Sequence, residues 1–174
     1  MRDLFVTKLL ETDIGDERLL TELAHSIRSL ARDDQAGRQW SAKNRYAGYT
    51  SYGSLNDLPK RDPAFSDLAR LLARHAAAFA SDCAFDLKRR PRLDSVWVNL
   101  LKSGGQHSGH IHPHSIVSGT LYVEVPPGSG AIRLEDCAFD DCVLTRWVCF
   151  LPPPVAAAMM RDMPHARFLG LPAA

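Results

Sequence analysis

The sequence lacks any Cys-x-x-Cys pair. Its four cysteines, Cys83, Cys137, Cys142 and Cys149, are scattered. That spacing argues against a zinc ribbon or a thioredoxin-like redox motif, and it fits reduced thiols better than a disulfide framework. Charge of either sign is not in excess: 21 basic residues face 20 acidic ones, for a formal net charge of +1. A near-neutral chain is not expected to have a nucleic-acid partner, because such partners usually draw on a basic excess. No apolar run approaches the roughly 20 residues of a membrane helix. The opening Met1-Arg2-Asp3-Leu4-Phe5-Val6 also lacks the apolar stretch of a signal peptide. A cytoplasmic protein with no membrane partner is expected.

What the chain does have is an ordinary core. Its 174 residues suit one domain, 1–174, and 45% of them are hydrophobic. Residues 4–10 read as a short strand. Residues 16–32 read as a helix, with Leu19, Leu20, Leu23, Ala24, Ile27 and Leu30 recurring along one face. Residues 33–62 are polar and rich in Gly, Asn, Ser and Tyr, and suggest a loop or irregular strand. Tyr46, Tyr49 and Tyr52 either line a substrate mouth or anchor this loop. Asp62-Pro63 signals a second helix, running to about Ser81, with Phe65, Leu68, Leu72, Ala76 and Phe79 on one face.

From about residue 92 the period becomes two. Val96, Val98 and Leu100 alternate with Ser95, Trp97 and Asn99. Further strands are expected over 116–125, over 131–135 after the Pro126-Pro127-Gly128 turn, and over 143–151. Two N-terminal helices followed by antiparallel strands point to an α+β domain whose sheet is a sandwich or jelly roll.

Chemistry concentrates in Gln106-His107-Ser108-Gly109-His110-Ile111-His112-Pro113-His114-Ser115, where four of the seven histidines fall. In an extended chain, residues two apart share a face. His110, His112 and His114 therefore project together, and His107 does not. Two imidazoles on one face can reach a single ion at about 2.0–2.2 Å, and imidazole suits zinc, copper, iron and nickel. The plainer alternative is a solvated turn. Gly104 followed by His110-x-His112 also resembles the opening of the cupin metal motif. Ile116 and Val117 stand where a cupin has its glutamate, so that motif fails at the third ligand.

A fuller match is Trp97-Val98-Asn99, then His110-Ile111-His112-Pro113-His114-Ser115, Ser118-Gly119-Thr120-Leu121-Tyr122, Pro126-Pro127 and Leu134-Glu135-Asp136. This string resembles a bacterial and phage group of 2-oxoglutarate–iron(II) oxygenases, and weaker similarity extends the resemblance over about residues 4–136. It implies a double-stranded β-helix, a jelly-roll core with iron in its mouth. It implies Fe(II) and 2-oxoglutarate as cofactor and cosubstrate, and hydroxylation of a C–H bond in a small-molecule or protein substrate that is not named. His110 matches the first histidine of the superfamily's His-x-Asp/Glu pair, and His112 stands in the carboxylate place. Asn99 and Tyr122 are implied to hydrogen-bond the cosubstrate carboxylates.

Residues 137–174 depart from the family pattern. The family carries a distal histidine and, about ten residues later, an arginine for the far carboxylate of 2-oxoglutarate. Here the late pair is His165 and Arg167, two apart. Three readings stay open: a frameshifted or truncated tail with incomplete C-terminal strands, a variant whose third ligand is His165, or a degenerate relative. A cupin-like metal enzyme and a non-catalytic jelly-roll binding module remain as alternatives. Unpaired strand edges would make an oligomer plausible.

Overall fold

In a computed structural model, the described residues are 8–112, 115–134 and 146–150. The elements run β1 (Leu10–Thr12), α1 (Glu17–Asp33), α2 (Gln35–Lys43), β2 (Gly48–Thr50), α3 (Pro63–Asp82), β3 (Asn99–Leu101), β4 (Val117–Leu121) and β5 (Arg146–Phe150), with a 3-10 turn at Leu58–Lys60. They group into two compact units. A helical unit comprises Asp16–Ala77 and Leu87–Gly109; a strand unit comprises Met1–Gly15, Ala78–Asp86 and His110–Ala174. The mixture of helices and strands is the α+β class expected from the sequence. Among the described residues, no helix is long and apolar enough to cross a membrane.

In the helical unit, α1 starts where Asp16 accepts a hydrogen bond from Leu19 N–H at 2.9 Å. This satisfies one of the backbone donors that every helix start leaves open. Its apolar stripe buries Leu19, Leu23 and Ala24. The sequence signal for α3 is also met: Asp62 accepts from Ala64 N–H at 2.8 Å, with Pro63 leading the helix. Ser26 of α1 donates to the other Asp62 oxygen at 2.6 Å. Leu23, Leu58 and Phe65 are fully buried. Removing each such side chain from water contributes about 1.5–3 kcal/mol.

Two expectations for this unit need correction. There are three α-helices, not two, because α2 occupies part of the polar stretch read as loop. Its sequence has no apolar stripe to reveal it, and polar bonds hold it instead. Asp34 ends α1 with its backbone N–H on Leu30 O and begins α2 by accepting from Gly37 N–H at 3.0 Å. The same carboxylate accepts from Tyr49 Oη at 2.8 Å and Ser54 Oγ at 2.5 Å. Gly37 is required here, since a Cβ would collide with Asp34, Ser54 and Tyr49. The second correction concerns the strand expected over 93–101. Only Asn99–Leu101 pairs continuously, antiparallel to β2, with Asn99 opposite Thr50. Its apolar face is buried at Val98, while Leu100 is exposed.

Burial raises the Asp34 carboxyl toward neutrality, but the hydrogen bonds from Ser54, Gly37, Tyr49 and Ala36 outweigh it and leave the group below its ordinary value. A depressed folded value gives stability above the unfolded value of about 3.9, lost as pH falls through the folded one. Asp34→Ala is therefore expected to cost about 2 kcal/mol at pH 7 and to flatten the acid side of the stability profile. Urea unfolding from neutral pH down through the carboxylate range measures both. An acid slope equal to that of the parent would remove Asp34 from the account.

In the strand unit, the sheet order is β1-β5-β4. β5 runs parallel to both neighbours, pairing Gly119 with Val148 and Glu11 with Cys149. The expectation of antiparallel strands throughout is corrected here. Alternating polarity marks which face of a strand is covered but says nothing of its partner's direction. The connection from β4 to β5, residues 122–145, is long enough for the crossover a parallel pair requires. The return strand expected over 131–135 is not formed in residues 131–134. The strand expected over 116–125 is realised as Val117–Leu121, and that over 143–151 as Arg146–Phe150. Of the strand expected over 4–10, residues 4–7 lie outside the described residues.

Candidate metal centre

The histidine segment follows β3 and precedes β4, and it has no regular secondary structure. His112 closes a turn, its carbonyl accepting from Ser115 N–H at 3.2 Å. Within the strand unit, His110 Nε2 and His112 Nε2 stand 3.0 Å apart, with their ring planes inclined at 76°. Two nitrogens bound to one ion at about 2.1 Å and at right angles are about 3.0 Å apart. Two Nε2 lone pairs meeting at this distance need a cation or a shared proton between them, since otherwise they repel. The spacing therefore fits two neighbouring positions of a facial metal triad, and also one imidazole Nε2–H donating to the other when no ion is bound. His110 is exposed and His112 half-buried, so the pair is accessible from solvent.

His107 is turned to another task, as the strand spacing predicts. In the helical unit its Nδ1 lies 2.9 Å from Tyr46 Oη, and the rings meet edge to face. Burial pushes the Tyr46 phenol up to about 12. A phenol held protonated can donate to Nδ1, and the bond holds the His107 ring against Tyr46. The three tyrosines of the polar stretch divide between the two readings: Tyr46 and Tyr49 are anchors, while Tyr52 is 58% exposed.

Of the other site residues read from the sequence, Asn99 is exposed in β3 of the helical unit. Tyr122 is half-buried just beyond β4 of the strand unit. His114 and His165 lie outside the described residues. Among the described residues, no group of three His, Cys, Asp or Glu side chains is placed to share an ion. An open pocket of about 440 Å³ in the helical unit is lined by Glu22, His25, Ser26 and Asp62. Ser26 donates there to the Asp62 carboxylate that starts α3, so this hydroxyl serves the helix.

A family model described as "Putative 2OG-Fe(II) oxygenase" matches residues 95–165. Residues 95–165 are similar to that family. The oxygenase match contains Asn99, His110, His112 and Tyr122, and it takes residues from both units. It begins later than the resemblance over about residues 4–136. It also continues beyond Asp136 to His165, through the stretch that departs from the family's spacing. No curated protein matches the chain.

Proposed function

We propose that the protein is an iron(II)- and 2-oxoglutarate-dependent dioxygenase that hydroxylates a small-molecule or protein substrate. The observation that carries this reading is the 3.0 Å approach of His110 Nε2 to His112 Nε2 inside the oxygenase match. In this reading residues 1–174 make one jelly-roll domain, with the metal in its mouth. His110 and His112 would hold Fe(II) through Nε2, each ring keeping its proton on Nδ1. Because His112 replaces a carboxylate, the site carries one negative charge fewer than the usual triad. His165, the last residue of the match, supplies the third ligand. Asn99 and Tyr122 orient 2-oxoglutarate by hydrogen bonds to its carboxylates. Bound iron with 2-oxoglutarate and dioxygen supplies chemistry that couples decarboxylation to succinate with C–H hydroxylation.

The test is an anaerobic titration of the full chain with Fe(II) and then 2-oxoglutarate. A weak visible charge-transfer band, appearing only when both are present, is the expected result. Metal binding with no band would favour a cupin-like metal enzyme. No metal binding would leave a non-catalytic jelly-roll module.

A further inference from the structure

Near-neutral net charge conceals a local segregation. Residues 35–56 hold three basic residues, Arg38, Lys43 and Arg45, and no acidic one. Residues 87–97 hold four, Lys88, Arg89, Arg90 and Arg92, against Asp94 alone. All seven basic residues are exposed. Elsewhere in the helical unit, Arg18, Arg32, Arg61 and Arg70 each sit in an ion pair with a neighbouring carboxylate. Among the described residues, none of the seven forms such a pair. The fold joins the two segments: Val96 N–H donates to Asn56 O at 2.9 Å, and just beyond it Ser51 N–H donates to Val98 O at 3.0 Å.

That junction also assembles three aromatic rings. Tyr52 meets Trp40 edge to face at 5.7 Å and Trp97 at 5.4 Å, with interplanar angles of 71° and 72°. Gly53 lets the Trp40 indole lie directly on the backbone, where a Cβ would strike it. Tyr52, the middle ring, is the most exposed of the three. Lys43 lies one helical turn beyond Trp40, and the Lys88–Arg92 run leads into Trp97.

One exposed ring flanked by two half-buried ones, among cations that form no ion pair, matches two needs of one ligand class. Bases stack on aromatic faces, and phosphates are neutralised by lysine and arginine. A duplex would satisfy the cations but hides its base faces. An acidic peptide or an anionic membrane would likewise leave the rings without a partner. We propose that the Trp40–Tyr52–Trp97 stack and its basic surround bind single-stranded nucleic acid. This departs from the expectation drawn from net charge, which averages a basic region against acidic residues placed elsewhere. It does not rest on the oxygenase reading, and its test uses no iron.

The full chain, in chelator, is titrated into a labelled oligothymidylate of about 12 nucleotides, followed by anisotropy and tryptophan fluorescence. Binding with tryptophan quenching is expected, weakening steeply between roughly 50 and 200 mM salt. Tyr52→Ala should weaken it about 10-fold, and Tyr52→Phe should restore it. Replacing Arg89 and Arg90 together by alanine should reduce the log–log salt slope by about 1.4, at about 0.7 per lost contact. Absence of binding at low salt would overturn the proposal, as would a Tyr52→Ala variant that binds like the parent. Equal binding and quenching by a duplex, by heparin, by an acidic peptide or by anionic vesicles would also overturn it, since charge alone would then suffice.

Discussion

Replacing His110 by alanine is expected to abolish iron binding, lowering Fe(II) affinity more than about 100-fold. Removing a group that merely orients a metal ligand already costs 10–100-fold, and loss of a direct ligand should exceed that. His112→Ala should match it, because the two Nε2 atoms approach the same point at 3.0 Å. His107→Ala should leave affinity within a few fold, because that ring is committed to Tyr46. His112→Asp should retain the metal, since it restores the carboxylate that the resemblance places at this position. Anaerobic equilibrium dialysis with Fe(II) distinguishes these outcomes. Unchanged affinity in His110→Ala would remove the pair from the metal site, and an equal loss in His107→Ala would mean the effect is general unfolding.

Ser51→Ala is expected to cost about 2–4 kcal/mol of stability, a large effect for the loss of one oxygen. Ser51 is fully buried. Its Oγ donates to Leu55 O at 2.8 Å and accepts from Val98 N–H at 3.1 Å. The substitution leaves Val98 N–H unsatisfied in a buried position and Leu55 O in a part-buried one, at about 1–3 kcal/mol for a fully buried group. The measurement is the urea midpoint with an unchanged slope. A loss below about 1 kcal/mol would mean that the two groups find other partners. Ser41 plays the matching part on the other side of β2, donating to Gly37 O at 2.8 Å and accepting from Thr50 N–H at 3.1 Å. These two hydroxyls tie β2 to α2 and to the segment leading into β3, which is how the Trp40–Tyr52–Trp97 stack comes together.

Helices α1 and α3 were legible because their signals are local. Asp16 and Asp62 act as caps within the next turn, and the apolar spacing of Leu19 and Leu23, or of Phe65 and Leu68, requires no knowledge of a partner. Helix α2 was not legible, because Asp34, Tyr49 and Ser54 hold it through contacts distant in sequence. The His110–His112 pair was legible for the same reason as the caps: two residues apart in an irregular or extended chain, their rings can meet without help from the rest of the fold. The aromatic stack draws on residues 40, 52 and 97 and left no local mark. A charge count by segment, in place of one for the whole chain, was the available signal for its basic surround.

The amino-acid order by itself determined the two capped helices and the closeness of His110 and His112, since each depends on neighbours within a few positions, and it carries the resemblance to oxygenases. Only the tertiary structure decided the parallel pairing of β5, the separate duty of His107, and the meeting of Tyr52 with two tryptophans. Those depend on which distant segments find each other, and a pattern of polar and apolar residues specifies that a surface is covered without specifying what covers it.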